Sequence, residues 1–434
     1  MVKKILKTAL VAILTWQAQS VLEKYKPKIV AITGSVGKTS SKDAIYTALS
    51  EFYFVRKSEK SFNSEIGAPL TILGRPNAWG SIIGWIQNII EGFALIFLPN
   101  HYPEWLVLEI GADRPGDIRT LASWIKPDIA VITRLSKVPV HVEYFHSVEE
   151  LVREKSFLVQ NVRRDGLLVF NGDDEDVVAF AGLMDVKKIF YGTGVKADVV
   201  GSGYKITYEE RGGKKEPSGI VFSARIGKKE KQINLKGVLG VQQMYTALAA
   251  LAVGAGLSLS FERAAGALSK YEAARGRMRV LAGVKGSIII DDSYNSSPVA
   301  LEEALRTLGA LETSGRKIAV LGDMLELGMY SAEEHKKAGV HAASAAVTLV
   351  TVGIRARGIA EGALNAGMDE KNIFQFEDSR SAGKFVETTV AEGDVVLIKG
   401  SQGMRMERAV EEVLADPSRK EKLLVRQERE WAKR

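Results

Sequence analysis

Cysteine is absent from the 434 residues. That removes disulfide scaffolds, thiolate metal sites and thiol nucleophiles together. Histidine occurs only five times, which argues against a His-rich metal cluster. Proline is sparse at 11, while hydrophobic residues make up 46% and charged residues 26%. Such a composition excludes a disordered, collagen-like or low-complexity chain, and the length favours two or three folded domains. Lys plus Arg is 59 against 52 Asp plus Glu, a net charge of +7. The surplus is not gathered into a basic stripe with aromatics, so nucleic acid is not an expected partner.

Long apolar runs are scarce too. Residues 1–20 have a basic start, an apolar run over 9–14 and small residues near position 20, as a weak signal peptide does. Such a run cannot span a bilayer, and a nucleotide-binding signature needing cytosolic ATP follows at once. Two readings stay open: an amphipathic helix on a membrane surface, with Lys3, Lys4 and Lys7 at the headgroups, or a helix docked on the protein's own core. Residues 79–98 carry one charge, Glu91, and place Ser81, Gly84, Asn88 and Glu91 on one weakly polar helical face. A single span there would put residues 34–39 and Glu109, which are argued below to share a site, on opposite sides of a membrane. A buried helix and an in-plane membrane helix are left, the second favoured.

Residues 27–33 (PKIVAIT) read as a short buried strand, and those from Ser41 onward as an amphipathic helix. Between them lie Gly34, Ser35, Val36, Gly37, Lys38, Thr39 and Ser40. Glycines let the backbone turn sharply, so that its N–H groups and the helix N-terminus face anionic oxygens. Lys38 would neutralise the β- and γ-phosphates, and the Thr39 hydroxyl would ligate Mg²⁺. The loop is shorter than the common phosphate loop. Its strand–loop–helix setting raises it above an ordinary glycine-rich turn.

The string TGSVGKTS resembles the ATP-binding loop of the Mur ligase superfamily, and further resemblances follow in order. Residues 61–70 (SFNSEIGAPL), 108–113 (LEIGAD), 290–298 (IDDSYNSSP), 321–328 (LGDMLELG) and 399–408 (KGSQGMRMER) are similar to one branch of it. That branch adds D-alanyl-D-alanine (D-Ala-D-Ala) to UDP-MurNAc-tripeptide in peptidoglycan precursor synthesis. The resemblance implies an α/β fold: a central P-loop ATPase domain with a parallel sheet plus a β-rich part, then a Rossmann-like C-terminal domain. It implies a cytoplasmic enzyme using ATP and Mg²⁺. In such a reaction the γ-phosphoryl group passes to a carboxylate, and the amine then displaces phosphate from the acyl phosphate. Both steps gather anions and require fixed cations.

On the same resemblance, Glu109 at the end of a predicted strand would hold Mg²⁺, and His141 matches a second-metal histidine. Lys155 falls where these ligases carry a carbamylated lysine, a cation converted to a carboxylate-like anion. Taken alone, the three would read as a solvated strand end, a structural histidine and a surface lysine. Asn63 and Glu65 fall in the peptide-substrate loop. Arg277 matches a linker arginine that reaches ATP phosphates. Asp292, Tyr294 and Asn295 match a nucleotide-gripping motif, with Tyr294 offering a face to stack. Asp323, Glu326, Lys399, Ser401 and Arg405, at successive strand ends, are candidates for holding the incoming dipeptide, where a cation would pair with its carboxylate.

The β–α alternation runs from 28 to about 195, followed by a β-rich stretch over 201–236, a helix over 242–255 and a hinge at 273–278. After 280, five strands separated by helices predict a parallel sheet covered on both faces. The expected domains are an N-terminal helix (1–27), an ATP-binding domain (28–275, with the apolar insertion 79–98) and a C-terminal domain (276–434). Three departures from the family stand out. The phosphate loop begins near residue 34, leaving no room before it for the UDP-binding domain. The apolar stretch between Glu65 and Glu109 is longer than usual. Residues 240–248 (GVQQMYTAL) lose the His and Asn of the family pattern. The first two suggest a lipid-linked precursor as an alternative acceptor, with peripheral contact to the inner face of the membrane. A ligase using a different amine and a non-catalytic nucleotide-binding membrane scaffold are the competing readings. The joint presence of Lys38, Thr39, Glu109, His141, Lys155 and Asp292 argues against the scaffold.

Overall fold

The computed structural model describes residues 2–59, 62–182 and 184–432. The side chains of Lys3 and Lys4, and Ser61 as a whole, lie outside the described residues. The chain folds as a mixed α/β protein around two sheets. The first contains β1 (Lys28–Thr33), β2 (Val55–Lys57), β3 (Trp105–Glu109), β4 (Ile129–Ile132), β5 (Leu167–Asn171), β6 (Lys187–Gly192), β7 (Val199–Arg211), β8 (Lys214–Ile226) and β9 (Lys229–Lys236). Their order is β2-β3-β1-β4-β5-β6-β7-β8-β9. Pairing is parallel from β2 to β7 and antiparallel from β7 to β9. Strands β3, β4 and β5 are buried at every residue. Continuous apolar runs are what strands covered on both faces require, whereas β9 alternates and wets one face. In register, Ile32 pairs with Glu109 and Thr33 with Ile132, so the loops after β1, β3 and β4 leave the sheet side by side.

The second sheet holds β10 (Arg279–Ala282), β11 (Ile288–Asp292), β12 (Lys317–Gly322), β13 (Thr348–Val352), β14 (Ile373–Phe376) and β15 (Val395–Lys399) in the order β10-β11-β15-β12-β13-β14. Strands β11 to β15 are the five expected, and all their pairings are parallel. Strand β10 adds an antiparallel edge that four residues were too few to announce. Central β15 pairs Lys399 with Asp292 on one side and with Leu321 on the other, which brings three separate motifs to one edge.

Two helices with no place in either sheet sit on the first lobe. Helix α1 (Val2–Tyr25) buries Leu14, Ala18 and Val21. The phosphate loop is followed by α2 (Lys38–Leu49), and the acceptor-loop segment by α3 (Gly67–Leu73) and α4 (Ile82–Phe97). The Gln17 amide donates to the Ile89 carbonyl at 2.8 Å, and a Cβ at Gly92 would approach that amide to 2.4 Å. Lys24 Nζ donates to the carbonyls of Leu95, Ile96 and Leu98 at 2.9, 3.0 and 2.7 Å. It thereby satisfies the orphan carbonyls at the end of α4. Helix α4 turns Asn88, Gly92 and Leu95 inward and Ile82, Ile83, Ile86 and Ile90 outward. Neither segment is a wholly buried helix: each docks along one stripe and shows apolar side chains outside. Among the described residues, no helix is long and apolar enough to cross a membrane. Lys7, expected at headgroups, pairs with Glu65 at 2.8 Å.

Candidate active site

The loop between β1 and α2 packs on the end of β4. Gly34 has φ +147°, and a Cβ there would meet the Thr133 hydroxyl at 2.1 Å, so only glycine fits. Thr133 Oγ1 donates to the Val36 carbonyl at 2.6 Å, and the Ser35 N–H donates to the Arg134 carbonyl at 2.6 Å. No side chain caps α2. Its first N–H groups are left facing the space in front of the loop, where an anion is favoured.

Lysines converge on the same loop. Lys38 Nζ donates to the Gly34 carbonyl at 2.8 Å, and Lys155 Nζ donates to Ser35 Oγ at 2.8 Å. Neither is in an ion pair among the described residues. Burial lowers the Lys38 pKa against the opposing pull of Glu109, and Arg277 lowers it further. Burial, then the charge of Lys38, pushes Lys155 well below the ordinary lysine range. Helix α5 (Asp117–Ile125) and helix α6 (Val148–Gln160) flank this side, and α6 buries Lys155 on its inner face; the surface-lysine reading does not hold. Glu109 is 1% exposed, and its Oε2 has no hydrogen-bond partner. An unbonded buried carboxylate oxygen is costly unless a cation or donor arrives. With the Thr39 hydroxyl beside Lys38, this donor set fits Mg²⁺, which takes one or two protein oxygens and keeps phosphate and water for the rest.

His141 stands at a left-handed turn, φ 72°, with Nδ1 2.7 Å from Glu326 and Nε2 3.5 Å from Asp113. Glu326 also has positive φ and belongs to the second lobe, so this contact ties the lobes together. Among the described residues no three His, Asp or Glu side chains are arranged to hold a metal ion. His141 would have to exchange Glu326 for a ligand to serve as one.

The second-lobe candidates are mostly engaged with each other. Lys399 Nζ bonds Asp292 Oδ2 at 2.5 Å and the Asn295 carbonyl at 2.9 Å, Asp292 being buried with it. Asp323 accepts from the Ala356 N–H at 2.7 Å, and Ser401 Oγ from the Leu325 N–H at 2.8 Å. Arg405 bonds Glu407 at 2.5 Å and the Trp431 carbonyl at 2.8 Å. These four side chains act as scaffold here, so a dipeptide carboxylate would have to displace an internal partner to reach Lys399 or Arg405. Tyr294 already stacks on guanidinium groups: Arg277 lies 4.2 Å and Arg426 5.2 Å from its ring centre. Asn295 accepts from the Gln402 N–H at 3.3 Å. Asn63 accepts from the Gly111 N–H through its carbonyl at 3.2 Å, two residues past Glu109, whereas Glu65 is drawn away to Lys7.

Sequence reasoning missed Thr133 and Arg134, which follow β4 beside the loop. Their signal was available, since they end a strand next to β1 as Glu109 does. A small cavity beside Gly37 is lined by Thr133, Arg134, Asn171, Gln242 and Tyr245 among others. Gln242, at one of the positions where the family pattern is lost, thus lies beside the loop. Gln243 instead braces Tyr271 at 3.0 Å.

The chain is similar to known proteins in sequence and in fold. The Mur ligase middle domain family matches residues 88–254, and the Mur ligase glutamate ligase domain family matches residues 276–402. The UDP-N-acetylmuramoyl-tripeptide–D-alanyl-D-alanine ligase of Bacillus subtilis is 30% identical over 401 residues, covering 92% of this chain and 79% of the relative. The ligase of the same name from Escherichia coli is 24% identical, covering 90% and 77%. The crystal structure of MurF ligase from Thermotoga maritima in complex with ADP superposes with a TM-score of 0.75 at 27% identity, covering 93% of this chain and 83% of that one. The chain belongs to the Mur ligase family of ATP-dependent ligases.

Proposed function

We propose that this enzyme joins the amine of D-Ala-D-Ala to the terminal carboxylate of UDP-MurNAc-tripeptide, in the cytoplasm, at the expense of ATP. The observation that carries the reading is the convergence of Lys38, Lys155 and Arg277 on one glycine-bounded loop. Burial lowers the proton affinity of Lys38 and of Lys155, the charge of Arg277 adding to this for Lys38 and that of Lys38 for Lys155, and an anion would answer these cations. Lys38 and the N–H groups at residues 34–40 would hold the phosphates and follow the γ-phosphoryl as it moves to the acceptor carboxylate. Arg277 would neutralise charge on the same group from the second lobe. Attack of the amine on the acyl phosphate forms the amide and releases phosphate, the amine proton leaving to solvent. Glu109 and Thr39 would hold Mg²⁺, with His141 a further candidate ligand, and the ion would supply charge neutralisation for the phosphates. Lys155, buried and with its pKa pushed well below the ordinary lysine range, suits carbamylation: its neutral amine would add to carbon dioxide and lose a proton, giving an anion beside the loop. Asn63, next to the end of β3, would orient the acceptor peptide.

The test is phosphate release from ATP with both substrates, with Lys38→Ala as the blank. Release that needs both D-Ala-D-Ala and UDP-MurNAc-tripeptide is expected. Release with another amine in place of D-Ala-D-Ala, and none with it, would overturn the assignment. A second reading, the same peptide on a lipid carrier, is favoured by the Lys7–Glu65 contact, which ties the acceptor loop to the apolar-faced α1. Activity with a lipid-linked acceptor and silence with the soluble nucleotide would select it.

A further inference from the structure

We propose that the outward face formed by α1 and α4 docks in the plane of an anionic lipid bilayer surface. On α4, Ile82, Ile83, Ile86, Ile90 and Phe97 are 76, 79, 52, 61 and 71% exposed. On α1, Leu6 and Trp16 are 63 and 49% exposed, and Trp16 meets Phe93 at 5.8 Å, so the two helices present one continuous surface. Polarity is inverted relative to an ordinary surface helix. The amide N–H groups of Gln17 and Asn88 point inward and donate to the carbonyls of Ile89 and Pro76, while Ile82, Ile83, Ile86 and Ile90 point out. Packing against the core therefore does not explain the outward face, and a contiguous apolar surface of this kind marks an interaction site.

Charge selects the occupant. The centre of the face carries no net charge, because Glu91 is paired with Arg75. Both ends are basic. Lys24, Lys26 and Lys28 outnumber Glu23 among the exposed charges where α1 and α4 run out together, and at the other end Lys7, paired with Glu65, follows sequence positions Lys3 and Lys4 in a stretch of 22 residues without Asp or Glu. A second copy of this chain, laid on the face in either direction, would set lysines against lysines. Anionic headgroups neutralise both ends at once while the isoleucines enter the acyl boundary. Beside the Lys26 end opens a cavity of about 380 Å³ lined by Tyr25, Lys26, Lys28 and Tyr53, with Glu104 the only carboxylate in its wall. Neither helix is long and apolar enough to cross, so the contact lies in the plane. The proposal is independent of which acceptor the enzyme uses.

The test is co-sedimentation of the full chain with phosphatidylcholine vesicles containing or lacking phosphatidylglycerol, beside the double variant Ile86→Glu/Ile90→Glu. Both positions are exposed and touch neither the phosphate loop nor the acceptor loop, so the thermal midpoint and phosphate release in vesicle-free solution should not change. The expected result is binding to the anionic vesicles that falls about tenfold or more in the variant and weakens in roughly 0.5 M salt as screening sets in. Absence of binding, equal binding by the variant, or binding indifferent to salt and to phosphatidylglycerol would overturn the proposal. So would light scattering that shows a wild-type dimer and a monomeric variant, since a second copy would then cover the face.

Discussion

The two lobes bury their candidate site lysines in different company. In the second lobe Lys399 is matched to Asp292, and Arg426 to Glu407 at 2.8 Å, each pair shut away from water. In the first lobe Lys38 and Lys155 touch only a carbonyl and a hydroxyl, with each other's charge nearby. The second arrangement is complete without a ligand and holds the fold in one geometry. The first is electrostatically unfinished, and an anionic ligand finishes it. A buried ion pair speaks mainly of structure; a buried cation lacking one speaks of what binds.

That contrast can be broken at its strongest point first. Lys399→Met should cost about 3–5 kcal/mol of stability, because it strands a buried Asp292. Adding Asp292→Leu should recover much of the loss, and a denaturant titration of the three chains would show it. Additive losses would mean that the pair is not the unit of stability. In the first lobe the larger effect should be on rate. Lys38→Ala is expected to lower the rate of phosphate release about 100- to 1000-fold while leaving the denaturation midpoint unchanged or raised. A folding defect of the Lys399→Met size would erase the distinction between lobes.

Lys155 sharpens the comparison through pH. Its lowered pKa means that the folded chain binds fewer protons there than the unfolded chain, at every pH between the folded value and the ordinary lysine value of about 10.4. The penalty for burying this amine is thus full at low pH and fades as pH rises toward that value. In carbon dioxide-free buffer, the stability of wild type relative to Lys155→Met should climb by about 1 kcal/mol or more between roughly pH 7 and 10. A difference that stays flat with pH would show that Lys155 is not held in the depressed state. The smallest effect belongs to the exposed Lys7–Glu65 pair. A double-mutant cycle should return under about 1 kcal/mol, and a larger coupling would make it a structural clasp for α1.

Much of the site was legible because its chemistry is local. A strand, two glycines and Lys38-Thr39 lie within a dozen residues, and the physical need for a sharp turn at a helix N-terminus writes itself into that order. The five second-lobe strands were legible for the same reason, each being a buried apolar run between polar helices. Less legible was the internal company of a side chain whose partner is distant in sequence. Lys399 and Arg405 are by sequence candidates for holding the dipeptide, and the fold sets Asp292 and Glu407 against them. The ring of Tyr294 was read as open for stacking, but Arg277 and Arg426 lie over it. Glu65 was placed with the substrate and lies against Lys7.

The sequence by itself determined the element order, the phosphate loop and the residues able to meet an anion, since backbone turning and apolar periodicity are properties of neighbours along the chain. Only the tertiary structure decided which cations are neutralised internally and which are not. The apolar segments show the same division. Their composition announced two helices. Their docking through Gln17, Gly92 and Lys24, and with it the outward direction of the isoleucines, was set by packing between residues about 70 apart, because burial is a property of the assembled surface and not of the segment.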